Sequence, residues 1–402
     1  MNYTEQEVMQ FVEEEDVKFV RLAFCDVFGK PKNVSIMDSE LKRAFEMGIA
    51  IDASAIVGFG DEAHSDLFLH PDPNTLAVLP WRPEHGRVVR MYCNISYPDG
   101  TPFVADTRRI LLEAEKEAEK LGYTFRFGTE IEFYLFKLDE LGNATNVPYD
   151  NAGYMDMSPD DKGENIRREI CLTLEQIGIY PESSHHEEGP GQNEIDFRYS
   201  SPLDAADNAQ TFRSVVGATA MRNGVAVDFS PKPLPEEAGN GVHINFSVEC
   251  DGKDVMQYAI AGILKHISAI TAFLNPSEAS YLRLGEKKAP AYVSWAEGNR
   301  SQLVRVPAAQ GEYKRAEVRS PDASANPYIA FTLLIYAALD GIKNQRKLPR
   351  PALVNFYDAS EGVLNRYKRL PSSLKEANDL AKSSSFVKKV LPSAIIKTYL
   401  DR

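Results

Sequence analysis

Only four cysteines occur in 402 residues, Cys25, Cys93, Cys171 and Cys250, and none has the short C-x-x-C spacing of a thiol metal site or redox pair. They read as buried free thiols. Basic residues are also in short supply: Lys and Arg total 45 against 58 Asp and Glu, and a formal charge of -13 is the wrong sign for a nucleic-acid partner, whose phosphates need a basic surface. Small substrates and metal cations suit the balance better. No basic start followed by an apolar core opens the chain. Residues 1–16 carry Glu5, Glu7, Glu13, Glu14, Glu15 and Asp16, so no export signal is visible and the cytoplasm is the expected compartment. Long apolar runs are lacking too. The two most apolar helical stretches, around Ala259 to Leu274 and Ile329 to Leu339, are short, and the first holds Lys265 and His266, so no membrane span is expected.

What is present is an ordinary apolar and aromatic content, enough for a folded protein, over a length that suits two domains. Residues 17–37 alternate and bend at Phe28-Gly29-Lys30-Pro31, which predicts two strands and a turn. A short helix near Ser39 to Gly48, a polar loop carrying Asp52, and strands near Leu76 to Leu79 and Arg87 to Ile95 complete a small β-rich unit over residues 1–100. From Ala105 the period turns helical, with Asp106 or Thr107 as cap and Gly122 as stop, opening a second domain over residues 101–402. Further helices are predicted near Asn165 to Ile177, Pro202 to Arg222, Val255 to Leu274 and Asn326 to Ile342. Strand pieces between them give an α+β class, an antiparallel sheet with packed helices.

The chemistry gathers in four places. In Gly128-Thr129-Glu130-Ile131-Glu132-Phe133 a strand would aim Glu130 and Glu132 to one side, and two carboxylates held close call for a cation. A solvated edge strand would read the same way, but Phe125, Phe127, Phe133, Tyr134, Leu135 and Phe136 argue against solvent on both faces. The run from His185 to Phe197 turns at Gly189-Pro190-Gly191 and can return Glu187 and Glu194 to one spot, although a plain polar hairpin would look alike. Oxygen ligands with an occasional imidazole suit magnesium or manganese. In Ala238-Gly239-Asn240-Gly241-Val242-His243 the glycines let backbone approach a ligand, whereas His243 alone would pass for a structural histidine. Arg283, Arg300, Arg305, Arg315 and Arg319, with Glu317 among them, offer forks for phosphate and carboxylate, yet Lys314 to Arg319 also fits a solvated strand face.

Taken together and in this order, the four motifs resemble the glutamine synthetase family from the first strand to Asn326-Pro327-Tyr328. The resemblance implies a small β-grasp domain followed by a catalytic domain, and an ATP-dependent ligase of nitrogen metabolism that joins a carboxylate to an amine. It implies ATP as co-substrate with two or three Mg2+ or Mn2+ ions per site. By motif, Glu132, Glu187 and Glu194 look like ligands of a first metal and Glu130, His243 and Glu317 of a second. Arg300, Arg305, Arg315 and Asn245 fall beside the nucleotide and the transferred phosphoryl group. Arg283, Arg319 and Gly239 fall beside an acid substrate such as glutamate, and Tyr154 beside the amine. Asp52 matches the aspartate that a neighbouring subunit contributes, so hexameric rings are implied, with pairing into dodecamers expected to be weak because the chain stops at Arg402 without the family's clasping tail.

Several positions depart from the family pattern. Ala55 stands where a serine is usual near Asp52, Ala238 replaces an asparagine and Asn245 a histidine, and the flap is one residue shorter, with Lys288 where a glutamate precedes Ala289-Pro290. An inward lysine would repel ammonium, so an amine larger than ammonia is expected, unless Glu286 swings inward in its place. Three alternatives stand beside this reading: glutamine synthetase proper using ammonia, a non-catalytic regulatory or structural relative, and a phosphotransferase to guanidino groups. The last has no use for Asp52, and no metal ligand is missing as a non-catalytic relative would allow.

Overall fold

The computed structural model describes residues 3–82, 85–286, 288–309, 311 and 314–401; Lys287, between the two flap candidates, and Arg402 lie outside the described residues. The acidic start conceals a helix, Glu5–Glu14. Thr4 caps it by accepting from Glu7 N at 3.2 Å, while the Glu7 carboxylate accepts from Thr4 N at 2.7 Å, and Val8 and Val12 form its buried face.

Strand Val17–Cys25 turns through Asp26 and Gly29 into Pro31–Met37, as the alternation predicts. Gly29 sits at φ 77°, and a Cβ there would meet Asn326 at 2.9 Å, so both the turn and the close approach need glycine. Val17–Cys25 also runs parallel to Arg87–Ser96, beyond which Asp66–Pro71 and Ile49–Asp52 extend a six-stranded sheet that includes the short Ala77–Val78. Asp52 is therefore not in a loop: it ends Ile49–Asp52, opposite Asp66. Four residues are too few for alternation to show.

Asp106 caps Thr107–Lys120, and Gly122 at φ 81° ends that helical turn. The second sheet has nine strands. Its main path runs Trp295–Glu297, Val304–Val306, Ala316–Val318, Val242–Glu249, Thr124–Leu138, Gln192–Phe197, Pro181–His186, and Val225–Asp228 and Ala144–Pro148 pair with the far half of Thr124–Leu138. Among the described residues of this sheet, Trp295–Glu297 and Val304–Val306 are the pair that runs parallel. Ile131, Phe133 and Leu135 on one face pack against Glu164–Gln176 and Pro202–Arg222. Phe125 and Phe127 join the larger core with Met256–Leu274 and Pro327–Lys343, where Phe127 stacks on Phe331 at 4.6 Å.

Met256–Leu274 is longer than its apolar stretch suggested: its 19 residues meet the length and composition of a membrane span, yet 67% of it is buried in the fold. Gly262 and Gly341 bring it against Pro327–Lys343 so closely that a Cβ on either would meet opposing backbone at 2.1 and 2.0 Å. The final helix, Ser393–Leu400, folds back on its own subunit, with Tyr399 at 4.8 Å from Phe28 and 5.0 Å from Phe273 between ring centroids.

Candidate active site

Antiparallel pairing sets the site, because residues directly opposed across a ladder share a face. Glu194 lies opposite Glu132 and Asp196 opposite Glu130; on the outer strand His185 lies opposite Glu194. On the other side His243 faces Glu130, Glu317 faces Asn245, and Arg305 faces Glu317. One face of the sheet thus carries an acid stripe bounded by cations, while Ile131 and Phe133 point to the helices. The strand that bears Glu130 and Glu132 is central. So is Ala316–Val318: Glu317 and Arg319 are buried, and the reading of this run as a solvated face fails because strands flank it on both sides.

Side-chain geometry follows the register. Glu130, His243 and Glu317 form one group whose ligand atoms lie within 4.8 Å of one another; Glu132, Glu194 and His243 form another, and His185, Glu187 and Glu194 a third. His243 Nδ1 is 3.0 Å from Glu130 and 3.6 Å from Glu317. Gly241 N donates to Glu132 at 2.6 Å, and a Cβ on Gly241 would meet Arg283 at 2.5 Å, which accounts for the glycine. Gly239 is equally hemmed, 2.4 Å from the Pro231 carbonyl by the same measure. Asn245 joins two parts of the site, donating to Glu130 at 2.8 Å and accepting from Arg315 Nε at 3.2 Å.

The electrostatics ask for a cation. Burial, then Glu132, Asp196, Glu130 and Glu187, hold the Glu194 carboxyl well above the usual range, and burial with Glu130 pushes Asp196 up to about 6. Burial also acts on Glu130, but the hydrogen bond and charge of His243 outweigh it and bring that group to about 2. Oxygen donors with one imidazole, and acids that repel each other when ionised, fit divalent metal ions.

The arginines divide. Arg319 is buried, paired with Glu317 and donating to the Arg300 carbonyl at 3.1 Å; Arg283 is buried and donates to the Ser320 carbonyl at 2.9 Å. Arg305 Nη1 is 2.7 Å from Glu317. Its Nε is buried without a hydrogen-bond partner among the described residues, as is the Tyr199 hydroxyl. Arg300 is exposed. Beside Arg315 opens a cleft of about 1050 Å³ lined by Ser247, Glu297, Val306 and Lys314, large enough for a nucleoside.

The flap resolves in favour of lysine. Lys288 Nζ is 2.8 Å from Glu187 and 3.4 Å from Glu188, and lies 4.3 Å from the Tyr154 ring centroid. Its backbone sits at φ 67°, a left-handed conformation uncommon for a side-chain-bearing residue. Burial lowers the Lys288 pKa, and Glu187 and Glu188 more than restore it, so the net shift is upward. Glu286 is not brought to the acid stripe: it is exposed and lines a separate cavity with Gly285, Tyr292, Tyr357 and Arg369. Asp52 is exposed on the other sheet, accepting from Ser54 N at 2.9 Å and Ser54 Oγ at 2.6 Å. His185 and Asp196 join the site although neither is among the residues singled out by motif. Their signal was there, since each stands two residues from a named acid on a strand of the hairpin.

Carboxylates that suit hard cations, arginines that suit phosphate and a cleft beside them are what a metal-dependent, ATP-using ligase requires. Residues 16–98 match the glutamine synthetase beta-Grasp domain and residues 104–402 the glutamine synthetase catalytic domain. The chain is 42% identical to a glutamine synthetase of Clostridium saccharobutylicum over 99% of its length and 94% of the relative's, and 43% identical to that of Methanosarcina mazei over 99% and 92%. A solved GmaS/ADP complex superimposes with a TM-score of 0.88 at 25% identity, covering 100% of this chain and 94% of that one. A Plasmodium falciparum glutamine synthetase solved by electron cryomicroscopy shares the fold, with a TM-score of 0.87 at 21% identity over 99% and 95% of the chains. The chain belongs to the glutamine synthetase family and is an ATP-dependent carbon–nitrogen ligase.

Proposed function

We propose that this ligase activates the γ-carboxylate of glutamate and joins it to an amine larger than ammonia. The observation that carries the reading is Lys288, whose ammonium group already lies against Glu187, Glu188 and the Tyr154 ring, where a small cation would otherwise be held. Glu132, Glu194 and His243 form one close group and Glu130, His243 and Glu317 another, so the two sets assigned to metals meet at His243. A carboxylate oxygen of glutamate attacks the γ-phosphorus of ATP, giving an acyl phosphate and ADP, and the amine nitrogen then attacks the carbonyl carbon and expels phosphate. Glu132, Glu187 and Glu194 would hold one divalent ion and Glu130, His243 and Glu317 a second, and these would supply neutralisation of the charge that gathers in the transfer. Arg305 and Arg315 suit the phosphates beside the cleft, and Arg300 the same region from an exposed position. Arg283 and Arg319, with the Gly239 backbone, suit the two carboxylates of the acid. The amine must lose a proton, and Asp52 from a neighbouring subunit is the acceptor we assign.

A second reading, ammonia as the nucleophile, draws support from the glutamine synthetases that this chain resembles at 42% and 43% identity. One screen separates the two: ADP release with glutamate and Mg2+ or Mn2+ against ammonia and a panel of neutral, acidic and polycationic amines. The expected result is the highest kcat/KM with a neutral or acidic amine. Ammonia as the best substrate overturns the larger-amine reading.

The same placement of Asp52 carries a proposal for assembly. It is exposed on the six-stranded sheet while the acid stripe lies on the other, and we assign the two to one site formed across a subunit interface, in a closed ring of six. Mixing Asp52→Ala with Glu132→Ala subunits is expected to restore part of the activity that neither shows alone, because some interfaces then hold both wild-type groups. Mass photometry of the active form tests the same point, and an active monomer would overturn it.

A further inference from the structure

His186 is fully buried under the turn that carries Glu187, and three of its polar atoms are engaged. Nδ1 lies 2.7 Å from the Glu187 carbonyl oxygen, Nε2 lies 2.9 Å from Asp150 Oδ1, and its own carbonyl accepts from Met155 N at 3.0 Å. Both ring nitrogens face oxygen atoms, so a side chain with a single donor would leave one of them unmet. Asp150 extends the clamp: it accepts from Gly191 N at 2.9 Å and from Lys162 N at 3.0 Å. The two ends of the turn, at Glu187 and Gly191, are thereby fixed to the segment that presents Tyr154. Arg167 holds the next strand in the same way, donating to Asn193 Oδ1 at 2.6 Å and to Asp161 at 3.1 Å, and Asn193 donates to the Gly191 carbonyl at 2.9 Å. Asp150, Asp161 and His186 lie close enough to hold an ion, but Arg167 already pairs with Asp161, so this cluster is bracing and not a metal site.

Glu187 and Tyr154 belong to the metal side and the amine side of the proposed reaction, and this node ties their segments together: Met155 N donates to the His186 carbonyl while the His186 ring reaches the Glu187 carbonyl. We propose that His186, anchored by Asp150, is a positioning residue that keeps Glu187 and Tyr154 in one fixed relation, so that metal binding and amine binding depend on the same side chain. The inference rests on the assignment of Glu187 as a metal ligand. Residues that orient a ligand in this manner change metal affinity when altered, although they touch neither metal nor substrate.

The test uses the full chain with His186→Gln and His186→Asn, reading Mn2+ affinity by calorimetry without nucleotide, and KM for ATP, glutamate and the best amine. Mn2+ affinity is expected to fall about tenfold and the amine KM to rise by a similar factor, with the KM for ATP unchanged. A merely structural role would lower the melting temperature and the active fraction without splitting these constants. Folded variants with wild-type Mn2+ affinity and amine KM overturn the inference. Should both His186 variants fail to fold, Asp150→Asn, which keeps the shape and one of the two acceptor oxygens, is read by the same criteria. Glu187→Ala measured alongside separates the causes: if it too leaves Mn2+ affinity intact, the ligand assignment is wrong and this inference falls with it.

Discussion

Glu132→Ala and Glu194→Ala are each expected to abolish metal-dependent ATP turnover, with a loss of about a thousandfold in kcat/KM, or about 4 kcal/mol of transition-state stabilisation. The two carboxylates oppose each other across the ladder between Thr124–Leu138 and Gln192–Phe197, so removing either takes away one of the three ligands assigned to the first ion and leaves it under-coordinated. Glu194 gives the sharper experiment. In the metal-free protein its carboxyl is buried and repelled by Glu132 and its neighbours, so Glu194→Gln removes an unfavourable charge and is expected to hold or raise the melting temperature of the apoprotein. The same substitution should eliminate the rise in melting temperature that Mn2+ gives the wild type, because a ligand stabilises only the form that binds it. Calorimetry and thermal melts with and without Mn2+ check both halves. Retained metal affinity and rate in either variant would show that this stripe is not the metal site.

Lys288→Glu is expected to turn the amine preference toward small cations. Two unit charges about 4 Å apart interact by about 4 kcal/mol at an effective dielectric near 20, and the ammonium group of Lys288 lies where that interaction is strongest for anything bound between Tyr154 and Glu187. Reversing its charge should raise kcat/KM for ammonia relative to an acidic amine by at least about tenfold, since part of the interaction is screened by the half-buried setting. The ratio of the two kcat/KM values is the measurement, because a change in folding or in metal occupancy cancels from it. An unchanged ratio would remove Lys288 from amine selection. Glu286→Ala serves as the companion variant, and its exposed place in a separate cavity predicts no change in the same ratio.

The parts of this molecule that could be read from the sequence are those where period and chemistry coincide. Glu130 and Glu132 alternate with Ile131 and Phe133, so the strand, its buried face and its acid face all follow from one pattern. The hairpin that returns Glu194 to Glu132 follows from Gly189, Pro190 and Gly191. Pro181–His186 was hidden because Glu182, Ser183 and Ser184 lack strand character, and with it His185 and His186 lost their context. The burial of Glu317 could not be read from its own segment, because charged neighbours around three residues of strand also fit a solvated face, whereas position in the middle of a sheet is a property of pairing partners far along the chain. Ile49–Asp52 owes its strand to Asp66–Pro71 for the same reason. The inward turn of Lys288 could be named as an option from its place before Ala289-Pro290, but its partners Glu187 and Glu188 come from a hairpin about a hundred residues earlier.

The acid stripe draws its members from directly opposed positions on successive strands, and that makes catalysis a gauge of chain length. Adding or deleting one residue within Thr124–Leu138, Gln192–Phe197 or Val242–Glu249 would carry every later acid or histidine of that strand into the hydrophobic face and bring apolar residues out to the metals. Insertions and deletions are therefore tolerable only at the turns. The flap that ends in Lys288 is such a place: a change of its length would move the side chain beside Tyr154 and Glu187 without shifting the register of the acid stripe.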